Sequence, residues 1–195
     1  MMNPSVLPSP LVEVTRGNVI ESIHYGHYAV AVPDGSIVEG SGNVDFVTYP
    51  RSALKLIQAL QLVESGAADA YRLKNQHLSL ACSSHWAEAF HVEAICKWLN
   101  NLSCTEDDLL CGRDFPYDEV VKEELLRQNG DRRKLFHNCS GKHAGFLTTC
   151  RHLSYDIDCY DTFQHPSQVR YREDLSLLTQ TNADQYPWGI DGCSL

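Results

Sequence analysis

The hydrophobic pattern changes period near residue 50, and that change limits the folds open to the chain. Before it, Leu11-Val12-Glu13-Val14-Thr15-Arg16 alternates apolar and polar residues, Gly17-Asn18 supplies a turn, and Val19 to His24 resumes the alternation. Tyr28-Ala29-Val30-Ala31-Val32 is the next strand candidate. Pro33-Asp34-Gly35-Ser36 has turn chemistry, with Pro presetting φ and Gly accepting a positive one, so Ile37-Val38-Glu39-Gly40 is expected to return antiparallel. The first fifty residues therefore read as a β-meander. After the change, Ala53, Leu56, Ile57, Leu60 and Val63 recur at helical spacing between Ser52 and Ser65. Pro50 stands before this run and Ser65-Gly66 after it, which predicts a helix buried along its apolar side.

Helical patterns continue. Val92, Ile95, Leu99 and Leu102 share one face of a helix expected from about His91 to Leu102, behind the apolar run Leu78-Ser79-Leu80-Ala81-Cys82. A second amphipathic helix is expected from Asp118 to Gln128, stopped by Asn129-Gly130. Another starts near Ser140 and runs through Phe146, Leu147 and Cys150, and His165-Pro166-Ser167 opens one carrying Val169, Leu175 and Leu178. Strands first and helices afterwards predict an α/β or α+β layer structure. Residues 1–10, rich in Pro and Ser, read as a flexible lead-in.

Charge and cysteine usage narrow the function classes. A net charge of −9 argues against nucleic acid or an anionic membrane as partner, leaving small solutes. No apolar run reaches the length of a membrane span, and the N-terminus lacks the basic head and apolar core of a signal peptide. The eight cysteines are therefore expected as reduced thiols in a cytoplasmic protein, two or three of them available for a metal.

Three clusters carry reactive side chains. In Ser52-Ala53-Leu54-Lys55 the hydroxyl and amine stand at i and i+3 on one helix face, so the amine can act as base for the hydroxyl. Sixteen serines and six lysines give about 0.5 such pairs by chance in 195 residues; what distinguishes this one is its place at the junction of strands and helices. Ser83-Ser84-His85 offers either a hydroxyl relay and oxyanion donor or an N-cap for the following helix. The stretch His137-Asn138-Cys139-Ser140-Gly141-Lys142-His143-Ala144-Gly145 collects a thiol, a hydroxyl, an amine and two imidazoles. It is not a phosphate loop, because Phe136 and His143 occupy the places of the required Gly and Ser/Thr. Two readings stay open. Cys139 is a nucleophile flanked by His137 and His143, or Cys139 with Lys142 or His143 forms a helix-face metal site that Cys193 closes from afar, zinc being the ion thiolates suit.

Taken in order, Val12-Glu13-Val14-Thr15-Arg16-Gly17, Glu21-Ser22, Arg51-Ser52 with Lys55, Glu64-Ser65-Gly66-Ala67-Ala68, Ser84-His85, Cys111-Gly112, Asn138-Cys139-Ser140-Gly141-Lys142-His143-Ala144-Gly145, His165-Pro166 and Asp191-Gly192-Cys193 form a distinctive set. The chain resembles the rhizobial-type L-asparaginases, which are similar in fold to serine β-lactamases and penicillin-binding proteins. The resemblance implies an amidohydrolase converting L-asparagine and water to L-aspartate and ammonia. It implies Ser52 and Lys55 as a catalytic pair, with Ser84 from a second serine–lysine pair. It implies zinc held by Cys139, Lys142 and Cys193, and Arg51 and Asp191 lining the substrate pocket. A homodimer is implied as well. Relatives of this type continue beyond Asp-Gly-Cys, so residues 11–195 are expected to be the N-terminal part of a single asparaginase-like domain, truncated before the lysine partner of Ser84. Two alternatives follow: a catalytically silent homologue keeping at most zinc or partner binding, and a β-lactam-type acyl transferase on the same fold.

Overall fold

The computed structural model describes residues 7–185. Contacts divide the chain into two compact units, Met1–Tyr49 and Pro50–Leu195, so the change of hydrophobic period coincides with a structural boundary. The described residues form a mixed α/β structure with two small antiparallel sheets followed by helices.

The first unit carries β1 (Ser9–Arg16), β2 (Val19–Gly26), β3 (Tyr28–Ala31) and β4 (Ile37–Ser41). β1 pairs with β2 and β3 with β4, each antiparallel, and the two ribbons are separate sheets. The meander expected from the sequence therefore lacks its middle pairing. The turns follow the predicted chemistry. Gly17 at φ 62° makes the two-residue β1–β2 turn, and Asp34 Oδ1 accepts from the Ser36 backbone N–H at 2.8 Å beside Gly35 at φ 86°. None of residues 7–49 is buried. A two-stranded ribbon has no layer to pack on, so alternation there marks strands without marking a core.

The second unit is helical: α1 (Lys55–Gln58), α2 (Leu60–Glu64), α3 (Ala67–Ala70), α4 (Asn75–Cys82), α5 (Ala89–Asn101), α6 (Glu119–Arg127), α7 (Ser140–Leu153) and α8 (Pro166–Thr179). The helix expected over Ser52–Ser65 is divided into a 3-10 turn at Arg51–Leu54, then α1 and α2 with Ala59 between them. Its buried side also differs from the apolar face read from the sequence. Lys55, Gln58 and Gln61 are buried, while Leu56 and Val63 are 67% and 55% exposed. Periodicity identified an amphipathic segment, but the side turned inward carries the polar stripe Lys55, Gln58 and Gln61 together with Leu54 and Leu62. That inversion is the first structural sign of a site.

α7 is the central element. Every residue from Ser140 to Cys150 is buried, as in a helix surrounded by protein on all sides. Thr148 and Thr149 settle their hydroxyls on the carbonyls of Ala144 and Gly145 at 2.7 and 3.2 Å, and Trp98 Nε1 of α5 donates to Thr148 Oγ1 at 2.9 Å. Of the predicted face, Ile95, Leu99 and Leu102 are buried in this core and Val92 is half-buried against it, and Trp98 joins them. Side-chain caps close the two helix starts expected at Asp118 and His165. The Asp118 side chain accepts from Val120 and Val121 N–H at the start of α6, and His165 accepts from Ser167 N–H ahead of Pro166 in α8.

Packing of α4 on α7 depends on Gly141. A Cβ there would stand 2.5 Å from the Leu80 carbonyl oxygen, against 3.4 Å to Ala81 Cβ for one on Gly145. Gly141→Ala is expected to destabilise the chain by about 1–3 kcal/mol, since backbone must move, whereas Gly145→Ala should change stability by less than about 1 kcal/mol. Urea unfolding of the two variants measures the difference.

Candidate active site

The close α4–α7 contact brings two chain segments together. α4 ends at Cys82, and Ser83 and Ser84 leave it in extended form. His85 N–H donates to the Asn138 carbonyl at 3.3 Å, which fixes this exit against the turn before α7. On the other side stands the 3-10 turn carrying Ser52. Its first residue, Arg51, is held at φ 50°, a left-handed conformation that costs a non-glycine residue on the order of 1 kcal/mol. Such a bend immediately before a serine presents the hydroxyl clear of its own helix.

Lys55 connects these pieces. Its side chain is buried, and Nζ donates to the Ser83 carbonyl at 2.8 Å and lies 2.7 Å from Ser84 Oγ. Ser84 Oγ in turn lies 3.0 Å from Ser52 Oγ. The three sequence-predicted residues Ser52, Lys55 and Ser84 therefore form one continuous hydrogen-bonded chain, with Ser84 bridging amine and first serine. The alternative role of Ser84 as an N-cap is not used, because α5 starts after Glu88. A groove of about 780 Å³ opens on Ser84, with His85, Trp86, Phe90 and His91 among its walls.

Cys139 caps α7 beside this chain, and Lys142, one turn on, is buried. Burial alone would push the Cys139 thiol up. A hydrogen bond with the His137 ring and the positive charges of Lys142 and Lys55 outweigh it and bring the thiol down to about 7. Nearby Cys111 shows the opposite balance, with burial and the Cys139 charge pushing its thiol up to about 12. His143, which spacing offered as an alternative to Lys142, is committed to the core: its Nδ1 is 2.8 Å from Tyr160 OH, and burial holds the ring well below the usual histidine range. All seven described cysteines are free thiols, as expected. Among the described residues no group of three or more His, Cys, Asp or Glu side chains converges as a metal site. Asp191 and Cys193 lie outside the described residues.

Sequence reasoning passed over His85 as more than a neighbour of Ser84. It is 2% exposed, and burial, helped by the charges of His91, Lys55 and His137, pushes the ring down to about 4. A buried imidazole has no periodic signature; the only available signal was its place directly after the serine pair.

A family model described as L-asparaginase II matches residues 12–195. The chain belongs to the L-asparaginase II family. The match spans the residues on which the resemblance was read, from Val12 onward, and includes both clusters described above. No curated protein matches the chain. The described residues of this asparaginase II chain hold no helix long and apolar enough to cross a membrane.

Two titrations are expected. The rate of iodoacetamide alkylation at Cys139, followed by peptide mass spectrometry, should rise with a midpoint near pH 7, while Cys111 stays unreactive below pH 9. His85 gives a stability effect of defined sign. Its folded pKa of about 4 lies below the unfolded value of about 6.5, so the unfolded chain binds more protons between them. This contribution is intact above pH 6.5 and is lost as pH falls toward 4, by at most about 1.4 kcal/mol per pH unit. Denaturation midpoints between pH 7 and 5 should fall less steeply in His85→Gln than in the parent.

Proposed function

We propose that the chain is an L-asparaginase working by serine–lysine chemistry. The observation that carries the proposal is the chain from Ser52 through Ser84 to the buried Lys55 amine, at 3.0 and 2.7 Å. Hydroxyl hydrogens rotate to suit their partners, so the same heavy-atom positions serve a relay in either direction. With Lys55 as the free amine, one N–H stays on the Ser83 carbonyl and the nitrogen lone pair accepts from Ser84, which accepts from Ser52. Ser52 Oγ then attacks the side-chain carbonyl carbon of L-asparagine as its proton passes to Ser84 and the Ser84 proton to Lys55. Collapse of the tetrahedral adduct breaks the C–N bond. The proton returns through the relay to the departing nitrogen, and ammonia leaves. Water, deprotonated through the same groups, cleaves the aspartyl ester and restores Ser52. Arg51, beside the nucleophile, is assigned to the substrate α-carboxylate, a planar anion that a guanidinium matches. Asp191 is assigned to the α-ammonium by its charge.

Zinc belongs to the proposal as a component of the pocket wall. The donor set fits in the part that is described: a thiol that ionises near 7, one helical turn from a buried lysine. Cys139, Lys142 and Cys193 would hold the ion, which when bound supplies a fixed positive charge beside the site and keeps Cys139 as thiolate and Lys142 as amine. The catalytic relay is formed without any of the three.

A silent, partner-binding homologue is the second reading, favoured by the exposed apolar residues on both ribbons of the first unit. Ammonia release from L-asparagine by the purified chain rejects it. On the leading reading, Ser52→Ala and Lys55→Met are each expected to reduce that release by at least about 10³-fold. Ser84→Ala should cost about 10–100-fold, because a water can replace part of the bridge. All three should keep the parent thermal unfolding temperature within a few degrees. Turnover near the parent level in Ser52→Ala removes the assignment. Zinc content by atomic emission, expected at one per chain after refolding with the metal, should fall to background in Cys139→Ala.

A further inference from the structure

The serine relay and the α7 turn bearing Cys139 are joined by one buried side chain. The His85 ring has a partner at each nitrogen. Nδ1 accepts from the Ala87 backbone N–H at 3.1 Å, and Nε2 lies 2.8 Å from Ser140 Oγ. The Ser140 hydroxyl is itself committed as donor to the Leu135 carbonyl at 3.1 Å. These bonds admit a single arrangement of protons. Because Nδ1 faces an N–H it must be bare, and because Ser140 spends its hydrogen on Leu135 it must accept from Nε2–H. The neighbouring backbone follows the same logic, with His85 N–H on the Asn138 carbonyl and Ser140 N–H on the His137 carbonyl.

We infer that His85 is a positioning residue that, as the neutral Nε2–H tautomer, pins the loop carrying Ser84 to the first turn of α7. Lys55 holds the loop from one side through the Ser83 carbonyl and Ser84 Oγ, and His85 holds it from the other. Ser84 must keep two hydrogen-bonding distances at once, and a shift of about 1 Å breaks one of them. Displacement of Ser140 by changes at Cys139 or Lys142 reaches Ser84 through the same ring, so the proposed metal wall and the relay are mechanically coupled. The chemical consequence rests on the serine–lysine reading; the pin itself does not.

Three measurements on the full chain separate the possibilities. Two-bond proton–nitrogen spectra of the histidine rings at pH 7, with His85 identified by its loss in His85→Gln, should show Nε2 protonated and Nδ1 bare; an Nδ1–H or cationic ring overturns the inference. Amide exchange over residues 83–87 should accelerate at least tenfold in His85→Ala and in Ser140→Ala, and stay within threefold of the parent in His85→Gln, whose amide nitrogen replaces Nε2–H. Parent-like exchange in Ser140→Ala overturns it, even where His85→Ala does not fold. Labelling of Ser52 by a fluorophosphonate should follow the same order, falling at least tenfold in the two alanine variants and being retained in His85→Gln. Accelerated exchange with unchanged labelling overturns the positioning role. If the parent's Ser52 resists the probe while the exchange pattern holds, the serine reading fails and the pin stands.

Discussion

The approach of the Leu80 carbonyl to Gly141 is the contact on which the site depends. Where α4 meets α7 there is no room for a Cβ. Any other residue at 141 would separate the two helices and, with them, the segments that follow one and precede the other. Those segments are Ser83-Ser84-His85 and His137-Asn138-Cys139. A glycine inside a helix costs about 1 kcal/mol relative to alanine. Here that cost is offset by packing that lets short side chains such as serine take part in a relay and lets His85 reach Ser140. Gly145, one turn later, keeps the approach open beside Ala81 and Leu62.

A second constraint is the inward polar stripe of α1 and α2. Burying Lys55, Gln58 and Gln61 while leaving Leu56 and Val63 largely in water runs against hydrophobic burial, even with Leu54 and Leu62 covered. Two of its members have specific partners, Lys55 on Ser83 and Ser84, and Gln61 Nε2 on the Ser167 carbonyl at 2.8 Å. Burial acts on charge elsewhere in the same unit, driving the rings of His85 and His143 far toward the neutral form. A helix that turns its lysine inward gives up apolar contact for position, a trade expected where chemistry rather than stability sets the residue.

These features explain what could be read in the chain and what could not. The starts of α6 through α8 were legible because pattern and helix punctuation are local: Asp118, Ser140 and His165-Pro166 stand at them wherever the helices end up. The inverted face of α1 and α2 was not, since a hydrophobic period names two faces and only tertiary contact says which one is covered. Ser52 and Lys55 were visible as an i, i+3 pair, but the bridging position of Ser84 depends on the α4–α7 contact between Leu80 and Gly141, which are far apart in the sequence. Lys142 rather than His143 entered only through the resemblance, because adjacent helical positions differ by about 100° and spacing does not separate them. His143 Nδ1 faces Tyr160 OH in the core.

The two clusters also constrain each other electrostatically. Cys139 is drawn toward thiolate by Lys142 and by Lys55, which is itself the amine of the relay. The thiol and the serine–amine chain share Lys55, so a substitution of that lysine is felt at Cys139 as well.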